Sequence, residues 1–152
     1  MRRLLLVSAA LLAGCTFGAP HASQSVSVPG ASITSIDVDL TLDPDAPLAA
    51  GMAGGYRPLP VVVAAGTFVR FTNSDGFAHT ATSISGSTFP SASPFDAGAL
   101  SEFGDRLSTG FSTGALSAGG SSAPILADQP GTYLFGCFYH YAAPMRDEIV
   151  VQ

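Results

Sequence analysis

From Ile33 onward apolar and polar positions alternate, with Ile36, Val38, Leu40 and Leu42 on one side and Ser35, Asp37, Asp39 and Thr41 on the other. That period of two marks a half-buried β-strand. Asp43-Pro44-Asp45-Ala46-Pro47 ends it, because proline lacks the ladder donor and aspartate favours turns. Residues 48–57 are small and glycine-rich, which predicts a loop. Residues 58–63 and 68–73 read as two strands joined by a turn at Ala64-Ala65-Gly66-Thr67, a hairpin pattern. Ser74-Asp75-Gly76-Phe77 is a further turn, and the β-branched run over residues 78–84 puts His79 at the loop end of a strand. From 85 to 123 the chain is rich in Ser, Gly and Ala, with apolar islands at Phe95, Leu100, Leu107, Phe111 and Leu116. Short strands are expected near 106–111 and 124–127. Asp128-Gln129-Pro130-Gly131 is a turn, residues 132–137 form a strand that ends on Cys137, and residues 148–151 form the last one. No stretch longer than a turn has a helical period. Roughly seven to eight short strands separated by turns predict an all-β fold, a Greek-key β-sandwich in which His79 and Cys137 meet at one end.

Ahead of this pattern lies a different one. Arg2 and Arg3 precede an apolar run over residues 4–14, the positive and hydrophobic regions of a secretory signal. The run is too short to span a bilayer as a helix. Its ending, Leu12-Ala13-Gly14-Cys15, resembles the bacterial lipoprotein signal. That resemblance implies that residues 1–14 are removed, that Cys15 is acylated, and that residues 15–24 tether a domain over residues 25–152. The protein is then exported and lipid-anchored to the cell membrane, facing the periplasm or exterior. An ordinary signal peptide cut after Ala19 or Ala22 is the alternative. His21 lies in the tether and is left out of any site.

Length and charge narrow the partners. A chain of 152 residues suits one domain with a real core. It has no lysine, and once residues 1–14 are removed four arginines face eleven acidic residues. Such a surface does not suit nucleic acid, whose phosphates need a basic face, and it permits a basic protein partner. Cys15 and Cys137 stand in contexts too different to favour a disulfide between them.

The candidate chemistry lies in Cys137-Phe138-Tyr139-His140-Tyr141-Ala142-Ala143-Pro144-Met145. This loop carries a thiolate, an imidazole and a thioether, and His79 supplies a second imidazole from upstream. A soft sulfur, two imidazole nitrogens and a weak axial thioether are the donor set of a mononuclear blue-copper site. Each residue alone has a plainer reading as core or surface, and His, His and Cys also suit tetrahedral zinc. The combination at this spacing in an exported β-rich chain favours copper.

Three stretches then carry a resemblance. Phe71-Thr72-Asn73-Ser74-Asp75-Gly76-Phe77-Ala78-His79-Thr80, Phe95-Asp96-Ala97-Gly98-Ala99-Leu100 and Pro130 through His140 are similar to cupredoxins of the plastocyanin, halocyanin and amicyanin group. The similarity runs from about Ile33 to the end, and the Cys137, His140, Met145 spacing is the one plastocyanin uses. It implies one copper ion, Cu(I) or Cu(II), held by Cys137 and the Nδ1 atoms of His79 and His140, with Met145 as a long axial contact and Asn73 and Thr80 beside the ligands. It implies a one-electron carrier, not an enzyme, working as a monomer between redox proteins; an envelope copper chaperone or storage protein is the alternative, and a β-domain that binds no metal a third. Two positions depart from the family. Thr80 stands where an asparagine often braces the ligand loop, and Asp147 stands where glycine is common, which leaves the turn after Met145 open. Phe138, Tyr139 and Tyr141 make the loop aromatic, either as a docking patch around His140 or as core.

Overall fold

The computed structural model describes residues 32–152, so the leader, Cys15, His21 and the tether lie outside the described residues. The fold is nearly all β. Its strands are β1 (Ile33–Val38), β2 (Ala46–Leu48), β3 (Gly51–Ala53), β4 (Tyr56–Arg57), β5 (Val61–Val63), β6 (Phe68–Asn73), β7 (Thr82–Ile84), β8 (Glu102–Phe103), β9 (Ser112–Thr113), β10 (Ile125–Leu126), β11 (Gly131–Gly136) and β12 (Arg146–Val151), with one 3₁₀ turn at Ala97–Leu100. One sheet runs β10-β6-β1-β4 and the other β5-β12-β11-β7-β9-β8, while β2 and β3 form a separate hairpin.

Ile36 and Val38 are fully buried, as the alternation from Ile33 predicts, but the strand ends at Val38 rather than running on through Leu42. The chain turns over residues 39–42, where Leu42 N–H bonds Asp39 O at 3.0 Å, and Leu40 and Leu42 are only half-buried. Between the sheets lies an aromatic cluster. Tyr56, Phe71, Phe111 and Phe135 are all fully buried, and the Phe135 ring meets Tyr56 at 4.8 Å and Phe71 at 5.2 Å, both edge to face. Outside the six-stranded sheet a smaller cluster joins Ala50, Ile84, Leu134 and Tyr141, with Phe89 and Phe95 packed on it.

The hairpin expected over residues 58–73 does not form. β5 pairs with β12 in parallel, and β6 pairs with β1 in parallel and β10 antiparallel. Residues 64–67 therefore carry the chain from one sheet to the other, with Gly66 at φ 88° and its N–H bonded to Ala127 O. Val61 and Val69 both face the core, which a crossover between sheets and a hairpin within one sheet require alike.

The loop expected over residues 48–57 contains β3 and β4, with Gly51 and Gly55 at positive φ breaking the pattern into short pieces. β2 likewise begins inside the turn expected over 43–47. The strand expected near 106–111 is instead a turn. Gly110 N–H bonds Leu107 O, and Ser108 is pinned by the Asp128 carboxylate through both its N–H and its hydroxyl. Leu107 and Phe111 still reach the core.

Candidate metal centre

Four pieces of chain converge at one end of the sandwich. β11 ends at Gly136, so Cys137 is the next residue, and its N–H bonds Met145 O at 3.0 Å to close the ligand loop. Met145 N–H bonds His140 O at 3.2 Å, so the loop folds back on itself before β12 begins. His79 lies three residues ahead of β7, fixed by paired backbone bonds with Leu116 at 3.1 and 2.7 Å. The turn before it is held by Asn73, whose Nδ2 donates to Phe77 O and Leu116 O and whose Oδ1 accepts from Asp75 N.

His79, Cys137 and His140 are brought together as expected. Cys137 Sγ lies 3.7 Å from His79 Nδ1 and 3.7 Å from His140 Nδ1, and the two nitrogens are 3.1 Å apart. A first-row ion takes imidazole nitrogen at about 2.0 Å and thiolate sulfur at about 2.3 Å, which in a trigonal plane separates sulfur from nitrogen by ~3.7 Å and nitrogen from nitrogen by ~3.5 Å. The donor atoms thus stand close to the edges such an ion requires. Met145 is fully buried beside them in the same core.

Electrostatics prepares the triangle. Burial alone would push the Cys137 thiol up, but its hydrogen bond with His79 and those from the backbone N–H groups of Thr80, His140 and Tyr139 prevail and hold its pKa below the ordinary value. Burial opposes a charged His79 ring, yet the bonds to Cys137 and Asp75 outweigh it and raise the pKa. His140 is shifted down, by burial first and then by His79. A thiolate and a neutral imidazole are the ligand forms a metal needs, and the shifts of Cys137 and His140 favour them. The raised pKa of His79 instead favours its protonated ring in the metal-free protein, a proton that metal binding must displace.

Thr80 takes on the bracing that its asparagine counterpart would give. Its Oγ1 accepts from Phe138 N–H at 2.9 Å, and its own N–H points at Cys137 Sγ at 3.5 Å. Asp147 leaves the turn intact, pairing with Phe135 in the β11–β12 ladder. Its side chain is fully buried; Oδ1 accepts from Glu148 N–H and Oδ2 has no partner. Burial, opposed by that one bond and reinforced by Glu148 and Asp43, pushes its pKa up to about 8.

The loop aromatics divide. Tyr141 is buried against the outer cluster, with its hydroxyl donating to Pro90 O at 2.8 Å and the Arg146 guanidinium over its ring at 4.7 Å. Tyr139 is 43% exposed, near the half-buried His140, and Phe77 beyond the His79 turn is 68% exposed.

Three contacts were not anticipated from sequence. Asp75 Oδ2 lies 2.9 Å from His79 Nε2, the ring nitrogen facing away from the triangle. Gly55, at φ 76°, approaches Met145 so closely that a Cβ there would fall 2.4 Å from Met145 Cγ. The buried Tyr56 donates from its hydroxyl to Thr80 O at 2.5 Å. The four-residue spacing of Asp75 and His79 was visible, but an aspartate in a turn looks the same whether or not it reaches a ligand.

A two-sheet sandwich that brings a buried thiolate and two imidazole Nδ1 atoms to one end, with Met145 buried in the adjoining core, presents the donor set of a mononuclear copper protein. A model of the copper-binding proteins of the plastocyanin/azurin family matches residues 49–152. The chain belongs to that family, and its cofactor is copper. None of the curated proteins compared matches it. Among solved structures, it is similar to a purple cupredoxin from Nitrosopumilus maritimus (20% identity, 78% of this chain and 98% of that one, TM-score 0.47). It is also similar to auracyanin from Roseiflexus castenholzii (24%, 81% and 99%, TM-score 0.48) and to plastocyanin from Dryopteris crassirhizoma (20%, 78% and 100%, TM-score 0.47).

Proposed function

We infer that the protein is a type 1 copper protein that carries one electron at a time between redox proteins, and not an enzyme. The observation that carries this reading is the preformed donor triangle of Cys137, His79 and His140. Bound copper supplies the Cu(I)/Cu(II) couple. The chain supplies a rigid frame, because the donors' positions are fixed by β-ladders, by Thr80 and by the closed ligand loop, so a change of oxidation state meets little rearrangement. Met145 would be the weak axial ligand. His140 is the one histidine of the triangle whose ring reaches the surface, and the exposed rim of Tyr139 and Phe77 suits a transient protein contact. An envelope chaperone or storage role is less well supported, since full burial of Cys137 and His79 hinders exchange of the ion.

The leader and Cys15 support export and lipid anchoring to the cell membrane, with the domain working there as a monomer. Mass spectrometry of membrane-extracted protein tests that part: acylated Cys15 is expected, and an unmodified chain starting after Ala19 or Ala22 would overturn it. The function is tested by a visible spectrum with a redox titration. Intense blue or violet absorption that bleaches reversibly with one electron per protein is expected; a pale or irreducible complex would overturn the reading.

A further inference from the structure

His79 has both ring nitrogens engaged. Nδ1 faces the triangle, and Nε2 lies 2.9 Å from Asp75 Oδ2. Asp75 is not a swinging surface carboxylate. Its side chain is only 13% exposed, Oδ2 also accepts from Leu40 N–H at 3.2 Å, Oδ1 accepts from Gly76 N–H at 2.5 Å, and its own N–H bonds Asn73 Oδ1. Among the described residues it is the carboxylate that touches a member of the triangle.

We propose that Asp75 is a positioning residue that holds His79 in the Nε2–H form and, through its fixed negative charge, favours the oxidised state of the site. This rests on the copper reading given above. Two physical consequences follow from the contact. A carboxylate acceptor at Nε2 leaves the Nδ1 lone pair for the metal and makes the ring a stronger donor. Loss of one electron raises the charge of the site by one, and a nearby negative charge inside a poorly solvated wall stabilises the more positive state. A neutral side chain in the same turn would do the first weakly and the second not at all.

Asp75→Asn keeps the shape and, through its one oxygen, the capacity to accept from Nε2, while removing the charge and the acceptor for Gly76 N–H; Asp75→Ala removes all of these. In the copper-loaded protein both variants are expected to stay blue, with a higher midpoint potential. A tenfold fall in the preference for Cu(II) over Cu(I) is expected for Asp75→Asn, which for a one-electron couple is about 59 mV. In the diamagnetic Cu(I) protein, NMR should show a His79 Nε2–H that exchanges slowly with solvent in the parent and fast in Asp75→Ala. Asp75→Glu should recover part of the parent potential if it reaches Nε2. Unchanged potentials in Asp75→Asn and Asp75→Ala, with a blue parent protein, would overturn the role of Asp75 and leave the copper reading standing. A colourless parent would overturn the copper reading itself and this role with it.

Discussion

The inner wall of the site and its outer rim are built on opposite terms. On the wall, Cys137, His79 and Met145 are fully buried, and each has named supports: Thr80 beneath the sulfur, Asp75 behind the ring, Gly55 against the thioether. On the rim, His140 is half-buried, its neighbours Tyr139, Ala142 and Ala143 are exposed, and the loop is held from behind through Tyr141 and Arg146. The difference separates two tasks. The wall fixes the donors that face the metal, and the rim is the side on which a donor is open to solvent.

The largest effect comes from the wall. Cys137→Ser should abolish the intense absorption altogether, because the colour is a thiolate-to-copper transition; a visible spectrum decides it. The two histidines should then part company. With His140→Gly, added imidazole should enter from the surface and restore the blue colour, whereas with His79→Gly it should not, since nothing opens that pocket to solvent. Recovery in both, followed by titration with imidazole, would erase the distinction between wall and rim.

Asp147 gives the wall a pH dependence. Its folded pKa, about 8, lies above the value of about 3.9 for an unfolded aspartate. The raised pKa means its contribution is fully present below the unfolded value. As pH rises the unfolded chain releases the proton first, so stability falls until the folded pKa is passed. The copper-free protein should lose up to about 5 kcal/mol between about pH 4 and about pH 8 from this group, and Asp147→Asn should flatten the profile in urea denaturation. Gly55→Ala should cost about 2 kcal/mol, from positive φ and the collision with Met145, and should shift the visible bands as the thioether moves. Tyr139→Ala is the smallest, within about 0.5 kcal/mol of the parent in stability, while stopped-flow electron exchange with a redox partner should slow.

What the sequence made legible follows the same line. The ligand loop is nine consecutive residues, so its donors are neighbours by covalent connection, and only His79 had to be brought from afar. The strand ends that bring it, β6, β7 and β11, carry clear β-branched or aromatic alternation. The supports were hidden because their residues have other common uses. Asp75 reads as a turn former, Gly55 and Tyr56 lie in a stretch broken by glycines, and residues 64–67 fit a hairpin and a crossover equally well. Between 85 and 123 hydroxyl bonds stand in for long ladders: Thr82 with Ser112 at 2.9 Å, Ala81 N–H to Thr113 Oγ1 at 2.9 Å, and Phe111 N–H to Ser83 Oγ at 3.0 Å. Single serines and threonines leave no periodic trace, so the short strands they fasten could not be read.

The parallel register of β1 and β6 also gives the molecule a direction. Val38 pairs with Asn73 at the copper end, and Ile33 pairs with Phe68 at the far end, five residues away along the strand. At 3.3 Å per residue that is about 17 Å, so the chain enters the domain at the pole opposite His140. A label or support coupled ahead of Ser32 would therefore join the domain at the pole away from the donor triangle and leave the His140 end free.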